Sequence, residues 1–281
     1  MFLQSTGGFG NQLFQWAYAH HILENQPNTK VTVFSDKYHS SNRQNLLELI
    51  QSECSHGIRL KHKDCLGNIY RIVDKYLGKK FFAGKDWASR IGIGTTENTI
   101  DIPRNIWLYR GYFQRPNLYW ESIQACAAEL DSLLQKFVPG NLENQEFQVI
   151  QIRRTDYLQN VSKYGVLSRE YYESVLDPTL NLIIVGDEIE LPKHFQDLGK
   201  NQKYFGPNSL DELQTIALIL ESKLFIMANS TFSWWAALLA VKKNIKTIMP
   251  SPWHPNMQGL EFQITSPNFS TKGSIFETLP N

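Results

Sequence analysis

The segment Phe2-Leu3-Gln4-Ser5-Thr6-Gly7-Gly8-Phe9-Gly10-Asn11-Gln12 decides the fold class at the start of the chain. Phe2 and Leu3 begin a short apolar strand, the glycines form a turn, and apolar side chains then recur at helical spacing as far as His21. The segment 31–34 is rich in β-branched residues and indicates a second strand. A strand, a helix and a second strand in this order favour a parallel sheet covered by helices.

The second half of the chain repeats this alternation. Leu182–Val185 and Leu224–Met227 are almost wholly apolar, as expected for strands buried on both faces of a parallel sheet. Ser209 and Glu212 have the spacing of a capping box that opens a helix. The other predicted elements are strands over 107–109, 147–152 and 247–249 and helices over 120–137, 168–176, 209–223 and 232–241.

A chain of 281 residues corresponds to two domains of ordinary size, with one large domain as the alternative. Pro139-Gly140-Asn141 interrupts the periodic pattern near the middle of the chain. We therefore predict an N-terminal domain over residues 1–140 and a C-terminal domain over 141–281, with a tolerance of about ten residues on the boundary.

Composition excludes several classes of protein. Hydrophobic residues make up 42% of the chain and charged residues 20%, which excludes disorder, collagen and coiled coil for the whole chain. The net charge of +1 argues against a dedicated binder of duplex nucleic acid. Three cysteines without a C-x-x-C spacing disfavour a disulfide framework or a zinc site. No signal peptide or apolar run of membrane-spanning length is apparent, so we expect a cytoplasmic protein.

Residues 59–80 are locally basic, and the apolar side chains within them form one helical stripe. The favoured interpretation is an amphipathic helix with a solvated face. The alternative is a surface that contacts anionic lipid headgroups, which would hold the protein peripherally on the inner face of a bacterial membrane.

The glycine turn is the first of three clusters that can carry chemistry. Glycines allow backbone amides to approach a ligand closely, and the start of the following helix favours negative charge. The segment lacks the third glycine of a dinucleotide fingerprint and the Lys-Ser/Thr of a phosphate-binding loop. It suits a phosphate or a sugar hydroxyl, and a purely structural turn is equally compatible with it.

The second cluster is Gln151-Ile152-Arg153-Arg154-Thr155-Asp156-Tyr157, at the end of a predicted strand. Arginine is seldom buried unpaired, so two adjacent arginines at this position need partners. One can bind a phosphate while the other pairs with Asp156. An exposed Arg–Asp salt bridge at the strand end is the alternative.

The third cluster is Ala228-Asn229-Ser230-Thr231-Phe232-Ser233-Trp234-Trp235, where a buried strand meets a helix. Hydroxyls and free backbone amides at a helix start can hold a phosphate, which we favour for Ser230 and Thr231. For the tryptophans we favour core packing. Asp187 follows another buried strand, where a carboxylate can meet a ribose or a base or simply cap a turn.

The chain contains no D-x-D triplet, which disfavours a transferase that holds its nucleotide through a metal ion. If a diphosphate leaves here, arginine and helix amides must neutralise it without magnesium. We therefore expect no metal and no cofactor.

These motifs, together with Gly111-Tyr112-Phe113-Gln114, resemble the bacterial α-1,2-fucosyltransferases of glycosyltransferase family 11. The resemblance covers nearly the whole chain. It implies an α/β fold of GT-B type, with two Rossmann-like domains facing across a cleft. The N-terminal domain would form the acceptor side and the C-terminal domain the GDP-sugar donor side.

The resemblance also implies an inverting, metal-independent transfer of L-fucose from GDP-β-L-fucose to the 2-hydroxyl of a galactoside in a surface glycan such as an O-antigen. By similarity Arg153 would hold the β-phosphate, with Arg154 and Asp156 bracing its loop and Asn11 on the opposing wall. The remaining implied donor-binding residues are Gly8, Gly10, Gln151, Asp187, Asn229, Ser230, Thr231 and Phe232.

One position departs from the family pattern, because Gln151 stands where the family usually has histidine. Glutamine cannot act as a general base, although it can hydrogen-bond a base edge. Relatives that transfer colitose leave the donor open between GDP-fucose and GDP-colitose. A non-catalytic module that binds a GDP-sugar or a glycan is a further alternative, and a nicotinamide oxidoreductase is disfavoured by the incomplete glycine motif. The acceptor and the oligomeric state cannot be read from the sequence.

Overall fold

The structure is a computed structural model that describes residues 1–35, 58–62, 93–94, 108–109, 111–135 and 146–278. The chain divides into two compact units, Met1–Leu130 and Asp131–Asn281. The predicted boundary near Gly140 and Asn141 lies outside the described residues.

The first unit is a five-stranded parallel sheet with helices. Its strands are β1 (Phe2–Ser5), β2 (Val31–Ser35), β3 (Ile58–His62), β4 (Ile93–Gly94) and β5 (Leu108–Tyr109), in the spatial order β3-β2-β1-β5-β4. Helix α1 (Phe9–Asn25) connects β1 to β2, and helix α2 (Trp120–Leu134) follows β5. Most of α1 is buried, which explains why its own apolar side chains lie on all sides of the helix instead of along one face.

The second unit is a six-stranded sheet in which every pair of neighbouring strands is parallel. Its strands are β6 (Phe147–Ile152), β7 (Asn181–Gly186), β8 (Lys203–Phe205), β9 (Leu224–Ile226), β10 (Lys246–Ser251) and β11 (Phe269–Gly273), in the order β11-β10-β9-β6-β7-β8. Its helices are α3 (Val161–Tyr164), α4 (Arg169–Glu173), α5 (Glu212–Leu220) and α6 (Thr231–Lys242). Short 3₁₀ turns occur at Pro116–Leu118 in the first unit and at Leu158–Asn160, Lys193–Phe195 and Leu260–Phe262 in the second.

Buried apolar strands and helices form the core of the second unit. Ile150, Ile184 and Ile226 lie on three neighbouring strands, and each is fully buried. Trp234 and Trp235 of α6 are also fully buried, which confirms the prediction that they pack in the core. The indole nitrogen of Trp234 donates to the backbone oxygen of Phe262 at 2.6 Å, so its one polar atom is satisfied.

In each sheet, the chain adds successive strands on one side of the first strand and then adds the next strands on the other side. We call the position where this change occurs the reversal point. In the second unit the chain builds β7 and β8 on one side of β6 and then crosses to place β9 on the other side. In the first unit β2 and β3 lie on one side of β1, while β5 lies on the other. Open parallel sheets bind ligands outside the carboxyl ends of the strands that flank such a reversal. The reversals therefore point to the ends of β6 and β9, and of β1 and β5.

Several elements differ from the sequence-based expectation: the short elements β4, β8 and α3 were not predicted, and three further differences have a physical reason. Ile58–His62 forms strand β3, so the basic segment 59–80 begins in a strand, and its apolar stripe lies outside the described residues. Helix α5 is capped by Asp211 and Gln214 instead of Ser209 and Glu212. Both pairs fit the capping-box spacing, which makes the pattern alone ambiguous by two residues. Strand β11 was not predicted, and most of its residues are exposed, so it lacks an apolar signal.

Candidate functional site

The glycine turn of the first unit is held by glutamine side chains from α1. Gln12 Nε2 donates to the backbone oxygen of Gly7 at 3.0 Å, and the backbone amide of Thr6 donates to Gln15 Oε1 at 2.9 Å. Gln15 Nε2 donates in turn to the backbone oxygen of Gly111 at 2.9 Å. One side chain therefore joins the end of β1 to the segment that follows β5, across the reversal point of this sheet.

Asn11 lies in the first turn of α1, beside this glycine turn. Gln114 Nε2 donates to Asn11 Oδ1 at 2.8 Å. A Cβ atom at Gly7 would lie 2.8 Å from Asn11 Nδ2, and Gly7 has a φ of +85°, so glycine is required there on two grounds. Gly8 is the N-cap residue of α1 and Gly10 is buried within it. The structure thus brings together the predicted residues of this unit.

The arginine cluster begins immediately after β6. Arg153 Nη2 lies 2.7 Å from Asp156 Oδ1, and Arg153 Nη1 lies 3.2 Å from Asp187 Oδ2. Burial opposes ionisation of Arg153, but Asp187 and Asp156 outweigh it and raise the pKa of the guanidinium above its ordinary value. The side chain remains 19% exposed, so a permanent cation stands at the end of β6 with part of its surface open.

Asp187, at the end of β7, braces the arginine loop from the neighbouring strand. Its Oδ1 accepts from the backbone amide of Arg154 at 2.9 Å, and its Oδ2 accepts from the Thr155 hydroxyl at 2.7 Å and the Thr155 amide at 3.3 Å. Together with Arg153, four donors converge on one carboxylate. The sequence suggested a contact to a ribose or a base, or a turn aspartate; the structure gives Asp187 this bracing contact.

Arg154 is buried and has different partners from Arg153. Its Nε lies 3.0 Å from Glu188 Oε2, and its Nη1 pairs with Glu277 Oε1. The Arg154 guanidinium carbon also lies 5.9 Å from the centre of the Phe195 ring. From the sequence, Asp156 could pair with either arginine, and in the structure it pairs with Arg153.

Residues 228–233 form a hydroxyl-rich bend at the end of β9, the strand next to β6. Ser230 is the N-cap of α6, and its hydroxyl accepts from the Ser233 amide at 3.2 Å. The Ser233 hydroxyl accepts from the Ala228 amide at 3.1 Å and donates to Gln151 Oε1. Gln151 thus reaches across the reversal point from β6 to α6. Thr231 begins α6 and, like Phe232 after it, is partly exposed.

Tyr157 links the arginine loop to the bend. The Arg153 guanidinium carbon lies 5.6 Å from the centre of the Tyr157 ring, and the Tyr157 hydroxyl donates to the backbone oxygen of Asn229 at 2.9 Å. Burial raises the pKa of Tyr157, which keeps this hydroxyl a hydrogen-bond donor. The Asn229 side chain is 1% exposed, and its Nδ2 donates to the backbone oxygen of Tyr164 at 2.7 Å.

Sequence reasoning missed the residues that support these clusters. The role of Ser233 was not predicted, because its hydroxyl acquires its partners, the Ala228 amide and Gln151, only through the folded bend. Glu188, Glu277 and His254 carry no local signal, because each acquires its partners through the sheet topology. Within the described ranges, no group of three His, Cys, Asp or Glu side chains could hold a metal ion. No helix in those ranges is long and apolar enough to cross a membrane.

The arrangement at the ends of β6 and β9 can bind an anion. Arg153 supplies a permanent positive charge, and the first turn of the 12-residue helix α6 supplies backbone amides and the positive end of a helix dipole. These donors are fixed by their own hydrogen bonds, so little reorganisation accompanies binding.

Comparison with known proteins assigns this chain to a family of enzymes. The sequence profile of Glycosyl transferase family 11 matches residues 76–265, which is more than half of the chain. The chain belongs to glycosyl transferase family 11. The matched range includes the arginine cluster and the hydroxyl-rich bend, and the protein is a glycosyltransferase.

Two curated Escherichia coli proteins are similar to this family 11 glycosyltransferase along most of their length. An alpha-1,2-colitosyltransferase is 24% identical over 88% of this chain and 90% of its own. The O-antigen biosynthesis glycosyltransferase WbnK is 27% identical over 88% of this chain and 93% of its own. Among solved structures, E. coli heptosyltransferase WaaC with ADP gives a TM-score of 0.50 at 10% identity, covering 96% of this chain and 92% of its own. This likeness shows the fold, which is α/β of GT-B type.

Proposed function

We propose that this glycosyltransferase moves L-fucose from GDP-β-L-fucose to the 2-hydroxyl of a galactoside in a surface glycan such as an O-antigen. The observation that carries the proposal is the link through Tyr157 between Arg153 and Asn229, just before the N-terminus of α6, at the reversal point of the second sheet in a family 11 chain. The O-antigen role follows from the similarity to WbnK.

In the proposed mechanism the acceptor hydroxyl attacks the anomeric carbon from the face opposite GDP. The bond from that carbon to the β-phosphate oxygen breaks, and its electron pair remains on GDP. Arg153 and the amides near Ser230 and Thr231 meet the charge that develops on the β-phosphate. We assign the donor side to the second unit and the acceptor side to the first unit, which contains Asn11. No metal ion takes part.

A panel of donors and acceptors tests this proposal. The purified protein is incubated with GDP-fucose, GDP-colitose or GDP-mannose and a galactoside, with and without EDTA, and the products are analysed by mass spectrometry and NMR. We expect an α-1,2-linked fucosyl product with an unchanged rate in EDTA. A 2-O-methyl galactoside should be inert, while its 3-O-methyl isomer should remain a substrate.

Other outcomes of the panel identify the alternatives. Preference for GDP-colitose would replace fucose with the donor sugar that the name of the E. coli colitosyltransferase indicates. Binding of GDP without transfer from any donor would favour a non-catalytic module. Loss of activity in EDTA that is restored by a divalent cation would contradict the metal-independent mechanism.

A further inference from the structure

His254 lies beside the bend that contains Asn229 and Ser230. The roles proposed above for the arginine cluster and the bend do not involve this histidine. It follows β10, the strand next to β9 in the sheet, so it occupies the same carboxyl edge as the candidate site. Asn229 Nδ2 lies 3.4 Å from His254 Nδ1. The histidine is therefore adjacent to the bend without being part of the helix N-terminus.

The hydrogen bond of His254 fixes its tautomer. His254 Nδ1 lies 2.9 Å from the backbone oxygen of Tyr164, and a carbonyl oxygen can only accept. Nδ1 therefore carries the proton, and in the neutral ring Nε2 presents a lone pair. Among the described residues Nε2 has no hydrogen-bond partner, and it is not one of the buried polar atoms left unpaired there, so solvent reaches it.

The surrounding backbone holds the ring in place. The His254 and Met257 backbones exchange hydrogen bonds of 3.3 and 3.0 Å, and Asn256 Nδ2 donates to the Ser162 backbone oxygen at 3.3 Å. The rings of Tyr164 and Tyr157 stack at 4.9 Å between centres, and the His254 ring meets the Tyr164 ring edge-on at 5.6 Å. The imidazole is thus connected through Tyr157 to Arg153.

We propose that His254 Nε2 is the general base that accepts the proton of the attacking acceptor hydroxyl, a role that rests on the proposed transfer reaction. The hydroxyl oxygen forms its bond to the anomeric carbon while its proton passes to Nε2, and GDP departs with the electron pair of the broken bond. The resulting imidazolium releases its proton to water. Asp156 is less suited to act as the general base, because its carboxylate pairs with Arg153 at 2.7 Å.

The charged and titratable groups around His254 support a neutral ring at neutral pH. Burial lowers the pKa of His254 below its ordinary value of 6.5, with Lys163 acting in the same direction. The hydrogen bond to Tyr164 and the charge of Glu261 oppose this effect without reversing it. The Tyr157 ring also faces the histidine, at 6.3 Å between centres. A base of this kind is active above its pKa, so kcat/KM should fall on acidification below pH 6.5.

The variant His254→Asn separates catalysis from anchoring, because its Nδ2 can still donate to Tyr164 while it has no basic nitrogen. We expect it to unfold at nearly the wild-type temperature and to bind GDP with nearly wild-type affinity by calorimetry. Transfer should fall by about 10²–10⁴-fold, and the acid limb of the kcat/KM profile should disappear. Added imidazole should restore part of the activity of His254→Ala. His20→Asn, the same change in the first unit, should leave the acid limb in place.

The results that would contradict a base role for His254 differ from the result that would contradict the proposed transfer reaction. If the wild-type protein transfers a sugar but His254→Asn remains within fivefold of it, His254 is not the base. An unchanged acid limb in that variant has the same consequence. If His254→Asn proves unstable, the absence of imidazole rescue in His254→Ala overturns the proposal. Absence of transfer by the wild-type protein instead contradicts the proposed reaction.

Discussion

Replacing Arg153 with glutamine should do more than remove one positive charge. The guanidinium contacts both Asp156 and Asp187, so its loss leaves two carboxylates beside the region proposed to receive the diphosphate. The variant therefore combines a missing cation with new repulsion between like charges. Asp187 keeps its three other donors from Arg154 and Thr155, so the loop should remain folded.

The size of the effect follows from these contacts. Loss of one preorganised donor to a developing oxyanion costs about 10²–10³ in rate. If a carboxylate and a charge on the diphosphate are taken as about 6 Å apart, they repel each other by about 3 kcal/mol at an effective dielectric constant of about 20. Asp156 is 57% exposed, so solvent should reduce its share to about 1 kcal/mol, or about fivefold. Together these factors predict that Arg153→Gln loses about 500-fold to 5,000-fold in kcat/KM.

A double-mutant cycle with transfer assays checks this reasoning. Arg153→Gln combined with Asp156→Asn should recover about fivefold relative to Arg153→Gln alone, because the second change removes the unpaired carboxylate. Arg169→Gln is a matched control, since Arg169 forms its own ion pair with Glu173 at 2.6 Å outside the site. Activity of Arg153→Gln within tenfold of wild type, at an unchanged unfolding temperature, would refute the assignment of Arg153.

The remaining predictions concern stability and are measured by urea denaturation. Asp211→Ala should cost about 1 kcal/mol through loss of the N-cap of α5, whereas Ser209→Ala should have no effect; the reverse result would support the register expected from the sequence. Ser233→Ala should cost about 1–3 kcal/mol, because the buried Ala228 amide loses its acceptor, and a cost near zero would contradict the hydrogen bond at 3.1 Å. Gly165→Ala should cost more than about 1 kcal/mol, because the residue has a φ of +65° and a new Cβ would meet the Phe276 ring; stability equal to wild type would exclude that close packing.

Much of the fold could be predicted because buried parallel strands carry a strong local signal. Leu182–Val185 and Leu224–Met227 are apolar, as expected for strands of a parallel sheet that is buried on both faces. Strand β11 gave no such signal, since most of its residues are exposed and its pairing with β10 involves mainly the backbone. Strand β3 was missed because its basic residues were grouped with the amphipathic segment that follows.

The candidate site could be predicted as a set of loops but not as a set of contacts. Glycines, arginines and hydroxyls at strand ends are visible in the sequence, and the sheet topology brings those of the second unit together. The sequence could not predict the partners of Arg154, because Glu277, which pairs with it, lies 123 residues further along the chain. The position of Asp187 after β7 suggested either a ligand contact or a turn aspartate, and position alone could not show that its carboxylate braces the arginine loop.

The orientation of Gln151 limits what this residue can recognise. The Ser233 hydroxyl already accepts from the Ala228 amide, so its proton is directed to Gln151 Oε1. The amide oxygen is thereby occupied, and Nε2, which has no partner among the described residues, is left to donate. Gln151 therefore presents hydrogen-bond donors at every pH, whereas a histidine at this position would change its charge near neutrality. If Gln151 contacts the nucleotide, we expect its partner to be an acceptor such as a carbonyl or ring nitrogen of the base, and Gln151→Glu should weaken GDP binding more than Gln151→Ala.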